Sequence, residues 1–234
     1  MSEARINITK TRDITTPTYY VQAIQTEFKD FAYDEDRAVE LRGHWRKKSF
    51  GVDDGNWPLD LEIGTGNGFF FAHRAQAEPG RLLVGLELKF KPLIQSIRRA
   101  LKAGAANARI ARYHANFLEN LFSPGEINHV FVHHPDPWTK RSTQKHRLLK
   151  AEYLIKLHGL QKADCFVDFK TDSREYFFWA LEQFKQTPYI FERYSENLHS
   201  SEWSGENFTT FFERMFLEKG QPIFYLRVRK AVAQ

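Results

Sequence analysis

From Leu59 onward, short apolar runs alternate with longer amphipathic segments, and that alternation predicts a parallel sheet with crossover helices. Leu59–Ile63 reads as a first strand, stopped by Gly64, with a helix over about 67–77, and Leu82–Leu86 reads as a second strand. Pro92 falls in the first turn of the next segment, where its missing N–H costs nothing, and Leu93, Ile97 and Leu101 form a helical stripe that stops at Gly104. Further strands are predicted at 109–113 and 129–133. The second is stopped by Pro135-Asp136-Pro137-Trp138, because prolines forbid continued pairing. A helix over 145–158 ending at Gly159, a buried-type strand at 165–169 and a helix opening near Ser173 follow. The pattern closes with a helix over 208–219, capped by Gly220, and a strand over 222–229. In that strand Phe224, Leu226 and Val228 alternate with Tyr225, Arg227 and Arg229, so one face is expected to be buried.

Before Leu59 the pattern is weaker. Residues 1–17 are polar, rich in Thr and without apolar periodicity, which predicts a flexible or partner-ordered N-terminal arm. Between Tyr19 and Asp36 apolar positions recur irregularly among charges and predict a short helix and a loop, followed by a basic knot of Arg42, His44, Arg46, Lys47 and Lys48. Neither a repeat nor a linker breaks 18–234, so one domain is expected there.

Composition narrows the class. With 42% hydrophobic residues in 234, the chain can bury a core, which excludes disorder throughout. The 34 Lys plus Arg against 29 Asp plus Glu leave a charge of +5, which matters only where it is clustered. The lone cysteine, Cys165, excludes an intramolecular disulfide framework, and no Cys and His spacing supports zinc, so no metal is expected. No run approaches the ~18 to 20 apolar residues of a membrane span, and MSEARINITKTRD lacks a signal peptide's apolar core. A cytoplasmic protein without membrane association is the expectation.

The segment Leu61-Glu62-Ile63-Gly64-Thr65-Gly66-Asn67-Gly68 places three glycines after a strand and before a helix, where backbone must approach a ligand closely. A dinucleotide fingerprint needs a third glycine at position 69; that residue is Phe69, so a pyrophosphate fits poorly. Glu62 also repels phosphate but attracts a ligand bearing ammonium and sulfonium, as S-adenosylmethionine does. Glu87 ends the next strand about 20 residues on, where an acidic side chain can bond ribose hydroxyls, and Asn116 beside Phe117 is placed to meet an adenine amino group. The plainer alternative makes Glu62 and Glu87 solvated strand-end charges and Asn116 a turn former.

The strand at 129–133 delivers His134-Pro135-Asp136-Pro137-Trp138-Thr139-Lys140 to the carboxyl edge of the sheet, where ligands of open α/β folds sit. The prolines fix the backbone and aim Asp136. Lys140, Arg141, Lys145, Arg147 and Lys150 form a run without an acid, which suits a phosphate-tracking face; a solvated helix surface is the alternative. His133 and His134 point to opposite faces and do not form a metal pair.

These motifs together resemble the tRNA (guanine-N7)-methyltransferases. The match runs from about Leu59 to Arg229 and includes Pro135-Asp136-Pro137-Trp138-x-Lys140, Thr171-Asp172 and Thr210-x-Phe212-Glu213 followed by Gly220-Gln221-Pro222-Ile223. The resemblance implies a Rossmann-like class I methyltransferase: an α/β fold with a mostly parallel seven-stranded sheet, one antiparallel strand near its edge and helices on both faces. It implies S-adenosyl-L-methionine as cofactor, bound by Glu62, Gly64, Gly66, Gly68, Glu87, Asn116, Phe117 and Asp136, with Asp136 also catalytic. It places Lys140, Asp172, Thr210, Phe211, Phe212 and Glu213 at the substrate. The substrate implied is the variable-loop guanosine of tRNA, position 46. Arg46, Lys47, Lys48, Arg141, Lys145 and Arg147 are candidate tRNA phosphate contacts. Where the family usually has Arg-His after the lysine, this chain has Ser142-Thr143.

Guanine N7 carries a lone pair and no proton, so its attack on a sulfonium methyl needs no deprotonation. Rate should come from alignment and from negative charge beside a base that becomes cationic, the role expected of Asp136. Guanine's Watson–Crick edge offers N1–H and an amino group, which Asp172 and Glu213 are suited to accept, and Trp138 and Phe212 are candidates for stacking on an unstacked base, with packing in the core the alternative for either ring. The five carboxylates Glu62, Glu87, Asp136, Asp172 and Glu213 are expected to converge on one cleft. Neither an obligatory protein partner nor a choice between monomer and homodimer follows. Two other functions remain open at this point: a methyltransferase of another RNA base or of protein, and a tRNA-binding protein that keeps the fold without catalysis.

Overall fold

A computed structural model describes residues 18–53 and 55–232, in two compact units divided after Ser123. The expected N-terminal arm lies outside the described residues. The first unit contains α1 (Thr18–Gln25), β1 (Ala32–Tyr33), α2 (Glu35–Val39), β2 (Leu59–Ile63), α3 (Phe69–Ala77), β3 (Leu82–Leu86), α4 (Phe90–Lys102) and β4 (Ala108–Ala111). The second contains β5 (Val130–His133), α5 (Ala151–Leu160), β6 (Phe166–Thr171), α6 (Arg174–Phe184), β7 (Ile190–Ser195), α7 (Phe211–Leu217) and β8 (Phe224–Arg229). Eight strands are therefore present among the described residues where seven were expected.

In the first unit the strands lie in the order β1-β4-β3-β2 and pair in parallel. Every residue of β2 and β3 is buried, which is why both read as unbroken apolar runs apart from Asp60 and Glu62. Asp60 is paid for by two arginines: Arg81 bonds both its oxygens at 2.8 and 2.6 Å, and Arg74 of α3 adds a contact at 3.1 Å. The stripe Leu93, Ile97 and Ala100 of α4 packs with Phe71, Ala72 and Ala75 of α3 and with Leu83 and Ile110 in one core cluster. Leu101, expected in that stripe, is exposed, because Ile94 and Ala100 take the buried positions.

In the second unit β5 pairs with β6 in parallel, and β8 runs antiparallel to both β6 and β7, in the order β5-β6-β8-β7. The expected single antiparallel strand is thus β8. Its expected polar face is not solvated throughout: Tyr225 is buried and donates to Asp168 at 2.9 Å, while Arg227 holds the same carboxylate at 2.7 and 2.8 Å. Strand β7 went unrecognised because its residues are mostly exposed, and its ladder carries a register shift between Phe191 and Arg193.

Two expected helices are shorter than their patterns. Residues 144–146 form a separate 3-10 turn, and α5 starts only at Ala151, whose N–H donates to Gln183 Oε1 at 3.1 Å. It runs through Gly159. Helix α7 starts at Phe211, because the Thr210 hydroxyl accepts from Glu213 N at 3.2 Å and so caps it.

Gly85 sits in β3 where an added Cβ would meet Thr65 Cγ2 at 2.6 Å and Phe71 Cε2 at 2.8 Å. Gly85→Ala is therefore expected to cost about 1 to 3 kcal/mol, and thermal unfolding should show a midpoint lowered by about 2 to 4 °C for each kcal/mol; an unchanged midpoint would mean that both neighbours yield freely.

Candidate functional site

The first unit's parallel strands β4, β3 and β2 are consecutive neighbours, so the loops that follow them emerge side by side. After β2 the chain turns through Gly64, Gly66 and Gly68, all at positive φ (80°, 53° and 77°), a conformation glycine adopts without strain. Gly68 has a second reason: a Cβ there would lie 2.5 Å from the Ser96 backbone of α4. The loop is tied down from three sides. Gly64 N and Thr65 N donate to Leu86 O at 2.9 and 3.0 Å, Arg99 bonds Asn67 O at 3.0 Å, and Gly66 N donates to Glu87 Oε2 at 2.9 Å.

Glu87 is more than a strand-end charge. Its other oxygen accepts from Lys89 N at 2.9 Å, so one carboxylate holds the turns after both β2 and β3. Burial raises its pKa, and the N–H groups of Lys89 and Gly66 oppose that rise. Glu62 is also buried, at the end of β2, which rules out the solvated-charge alternative for it. At Gly64 an added Cβ would meet nothing within 4 Å, leaving open space over the loop. Asn116 and Phe117 are exposed on a 3-10 turn (Ala115–Asn120) after β4, with the Phe117 ring 5.7 Å from that of His114. The structure thus brings Glu62, Glu87 and the glycine loop together within this unit, and sets Asn116 and Phe117 after the adjoining strand.

The basic knot forms a π-helical turn (Trp45–Ser49) pinned by buried Trp45, whose indole donates to Leu121 O at 2.8 Å. Lys47 and Lys48 are exposed; Lys47 pairs with Asp53 at 3.0 Å, a contact worth little in solvent. Arg46 is turned back onto Trp57 O at 2.7 Å.

In the second unit, β5 ends at His133, and His134 N still donates to Lys170 O at 2.8 Å before the chain breaks away. His134 and Trp138 both have positive φ, 49° and 44°. These strained residues bracket Pro135-Asp136-Pro137 and present Asp136 exposed, with no hydrogen bond or ion pair among the described residues. Trp138 is exposed and lies 5.3 Å from the His146 ring. Lys140, Arg141 and Lys145 project into solvent, and the Thr143 hydroxyl donates to Lys140 O at 2.8 Å, so Ser142-Thr143 closes this turn on itself.

Arg147 departs from its expected place on a phosphate-binding face. It is buried; its guanidinium donates to Pro137 O at 2.9 Å and Glu175 at 2.6 Å and lies over the Tyr176 and Trp179 rings, so it braces the Asp136 loop from beneath.

The substrate residues divide in two. Phe211 and Phe212 are exposed on the first turn of α7, and Asp172 is partly exposed after β6. Thr210 is the buried cap, and Glu213 is fully buried. Lys170 donates to Glu213 Oε1, while Asn207 donates to Oε2 at 2.9 Å. The expectation that Glu213 accepts directly from guanine is corrected by that closure: its lone pairs face inward. Burial alone would raise its pKa, but His134, Lys170 and Asn207 outweigh this and hold it at about 2. Sequence reasoning missed Lys170, which looked like one more strand cation, and His134, weighed only as a metal ligand. No group of three or more His, Cys, Asp or Glu suited to a metal occurs among the described residues, and no helix there is long and apolar enough to cross a membrane.

Comparison with known proteins bears on this arrangement. Residues 56–226 match a family model described as "Putative methyltransferase". Over 210 residues the chain is 49% identical to the tRNA (guanine-N(7)-)-methyltransferase of Bdellovibrio bacteriovorus, covering 89% of this chain and 99% of that one. The protein of the same description from Listeria monocytogenes serotype 4b is 32% identical over 81% of this chain and 86% of its own. Among solved structures, the 16S rRNA methyltransferase KamB superposes with a TM-score of 0.54 over 75% of this chain and 88% of its own at 15% identity, a likeness of fold. The Rossmann-like methyltransferase fold, the glycine loop with its acidic strand ends and this identity over nearly the whole length of a relative place the chain in the tRNA (guanine-N7)-methyltransferase family.

Proposed function

We propose that the chain holds S-adenosylmethionine at the glycine loop of its first unit and methylates N7 of a guanine in tRNA. The observation that carries this reading is the acidity of the glycine loop. A buried Glu62 and a Glu87 bonded to the loop backbone disfavour a phosphate and favour a ligand with ammonium and sulfonium charges. The open space at Gly64 suits close approach of such a ligand, and Glu62, Gly64, Gly66, Gly68, Glu87, Asn116 and Phe117 are the residues that would hold it. When bound, the cofactor supplies an electrophilic methyl carbon.

This chain's own part is alignment and charge. Asp136, rigidly carried between Pro135 and Pro137, sets a carboxylate beside a base that turns cationic as N7 bonds carbon, and no proton need leave the nucleophile first. Asp172 accepts from guanine's N1–H and amino group, with Glu213 acting behind it. Phe211, Phe212 and Trp138 offer exposed rings to an extruded base. Lys140, Arg141 and Lys145 in the second unit, and Lys47, Lys48 and Arg46 in the first, are the cations available to tRNA phosphates. The guanine is the variable-loop nucleoside, position 46, and the enzyme works in the cytoplasm as a monomer or homodimer without an obligatory protein partner.

Incubation with tritiated S-adenosylmethionine and unmodified tRNA, followed by borohydride and aniline, should cut the strand at the variable loop; label without scission there would move the site to another base. Asp136→Ala should lower turnover about 10²- to 10³-fold while tRNA retention on a filter stays within about twofold, and turnover equal to the wild type would remove Asp136 from the mechanism. Lys140→Ala and Lys145→Ala, each removing one phosphate contact, should together reduce the slope of log affinity against log salt by about 1 to 2; an unchanged slope would take both off the tRNA path.

A further inference from the structure

A cluster of charged groups lies behind the exposed Asp172 and is not accounted for by holding cofactor or phosphate. His134 Nδ1 is 3.3 Å from Asp172 Oδ1, and its Nε2 is 3.7 Å from Glu213 Oε1, a charge contact beyond hydrogen-bond reach. Its ring stacks on Phe216 of α7 at 5.6 Å. Glu213 in turn takes Lys170 of β6 on one oxygen and Asn207 on the other, with His199 Nε2 at 3.3 Å from Oε2. Lys170 also donates to Asn207 Oδ1 at 2.9 Å and Phe208 O at 3.3 Å. One imidazole therefore spans the gap between a partly exposed carboxylate and a fully buried ion pair, and it does so from a left-handed backbone position that costs free energy to hold.

We propose that His134 is a positioning residue, which as an imidazolium ties Asp172 to the buried Glu213–Lys170 pair and so fixes the carboxylate that accepts from guanine. The inference rests on the proposed reading of Asp172 as the guanine acceptor. The groups that face His134 are Asp172, Glu213 and Lys170, with His133 next to it in the chain and His199 on the far side of Glu213. Burial and the Lys170 ammonium oppose charging of His134, but Asp172 and Glu213 outweigh them and raise its pKa above the usual imidazole value, so the bridge is formed at low pH and is lost as pH rises through the raised pKa. His133 behaves oppositely: burial and Lys170 keep it neutral, so it does not titrate across the same range.

Steady-state kinetics with unmodified tRNA test this at several pH values between about 6 and 8.5. The wild-type KM for tRNA should rise with pH. His134→Phe keeps a ring against Phe216 but removes both polar contacts; at pH 6 it should raise KM about tenfold, the loss of one charge-assisted bond, with a smaller change in kcat and a KM that no longer varies with pH. Calorimetric affinity for S-adenosylmethionine should be unaltered. His134→Gln, which keeps a neutral donor, should also lose the pH dependence while recovering part of the affinity at pH 6. A wild-type KM flat across this range overturns the proposal without any variant, as does a variant that retains the wild-type profile. Absence of any 7-methylguanosine from the wild type would instead defeat the underlying reading.

Discussion

Parallel strands release their carboxyl ends at one edge, and each chain segment leaving that edge has backbone groups that the ladder no longer satisfies. How those groups find partners decides what each unit can do. In the first unit a single carboxylate, Glu87, accepts from the turn after β2 and from the turn after β3. The glycine loop is thereby tied to the turn that follows β3. In the second unit the corresponding work falls to a lysine. Lys170, one residue before β6 ends, carries its ammonium to Asn207, Phe208 and Glu213 and so fixes the start of α7 relative to its own strand.

The two solutions differ in their cost. Glu87 is partly exposed and accepts from backbone N–H groups, which favour its ionised form together with a smaller contribution from the nearby Lys89 charge. Glu213 and Lys170 are both taken out of water, and such a pair stabilises only when the remaining lone pairs and protons are also bonded. Asn207 and the Phe208 carbonyl complete that requirement. The polar cluster is therefore specific as well as stable: removing one member leaves another buried and unmatched.

Much of this was legible in the chain. β2 and β3 are buried on both faces, so they register as apolar runs, and the glycines that follow register as turns. The acidic strand ends Glu62 and Glu87 and the Pro-Asp-Pro bracket around Asp136 stand out in the sequence because each departs from its local pattern: carboxylates at the end of apolar runs, and prolines directly after a strand. What escaped has physical causes. β7 carries exposed aromatics and charges in no clean alternation, and β1 has only two residues. Arg147 sits in a basic run and resembles its neighbours until the fold turns it inward onto Glu175. His134 and Lys170 acquire meaning only from partners 38 and 43 residues away, a separation that no local pattern records.

The register shift between Phe191 and Arg193 in β7 has a consequence for life at high concentration. β7 ends its unit's strand order, and it exposes Ile190, Phe191 and Tyr194 along an edge that pairs with no further strand among the described residues. A flat strand of that composition would recruit another copy of itself. The bulge bends the edge, and Glu192 and Arg193 interrupt the apolar run with charge, Arg193 held by Glu206 at 2.7 Å and Glu192 by Arg229 at 2.8 Å. The register shift and the two flanking ion pairs thus break the border into short apolar stretches, none long enough to offer a continuous ladder to another strand.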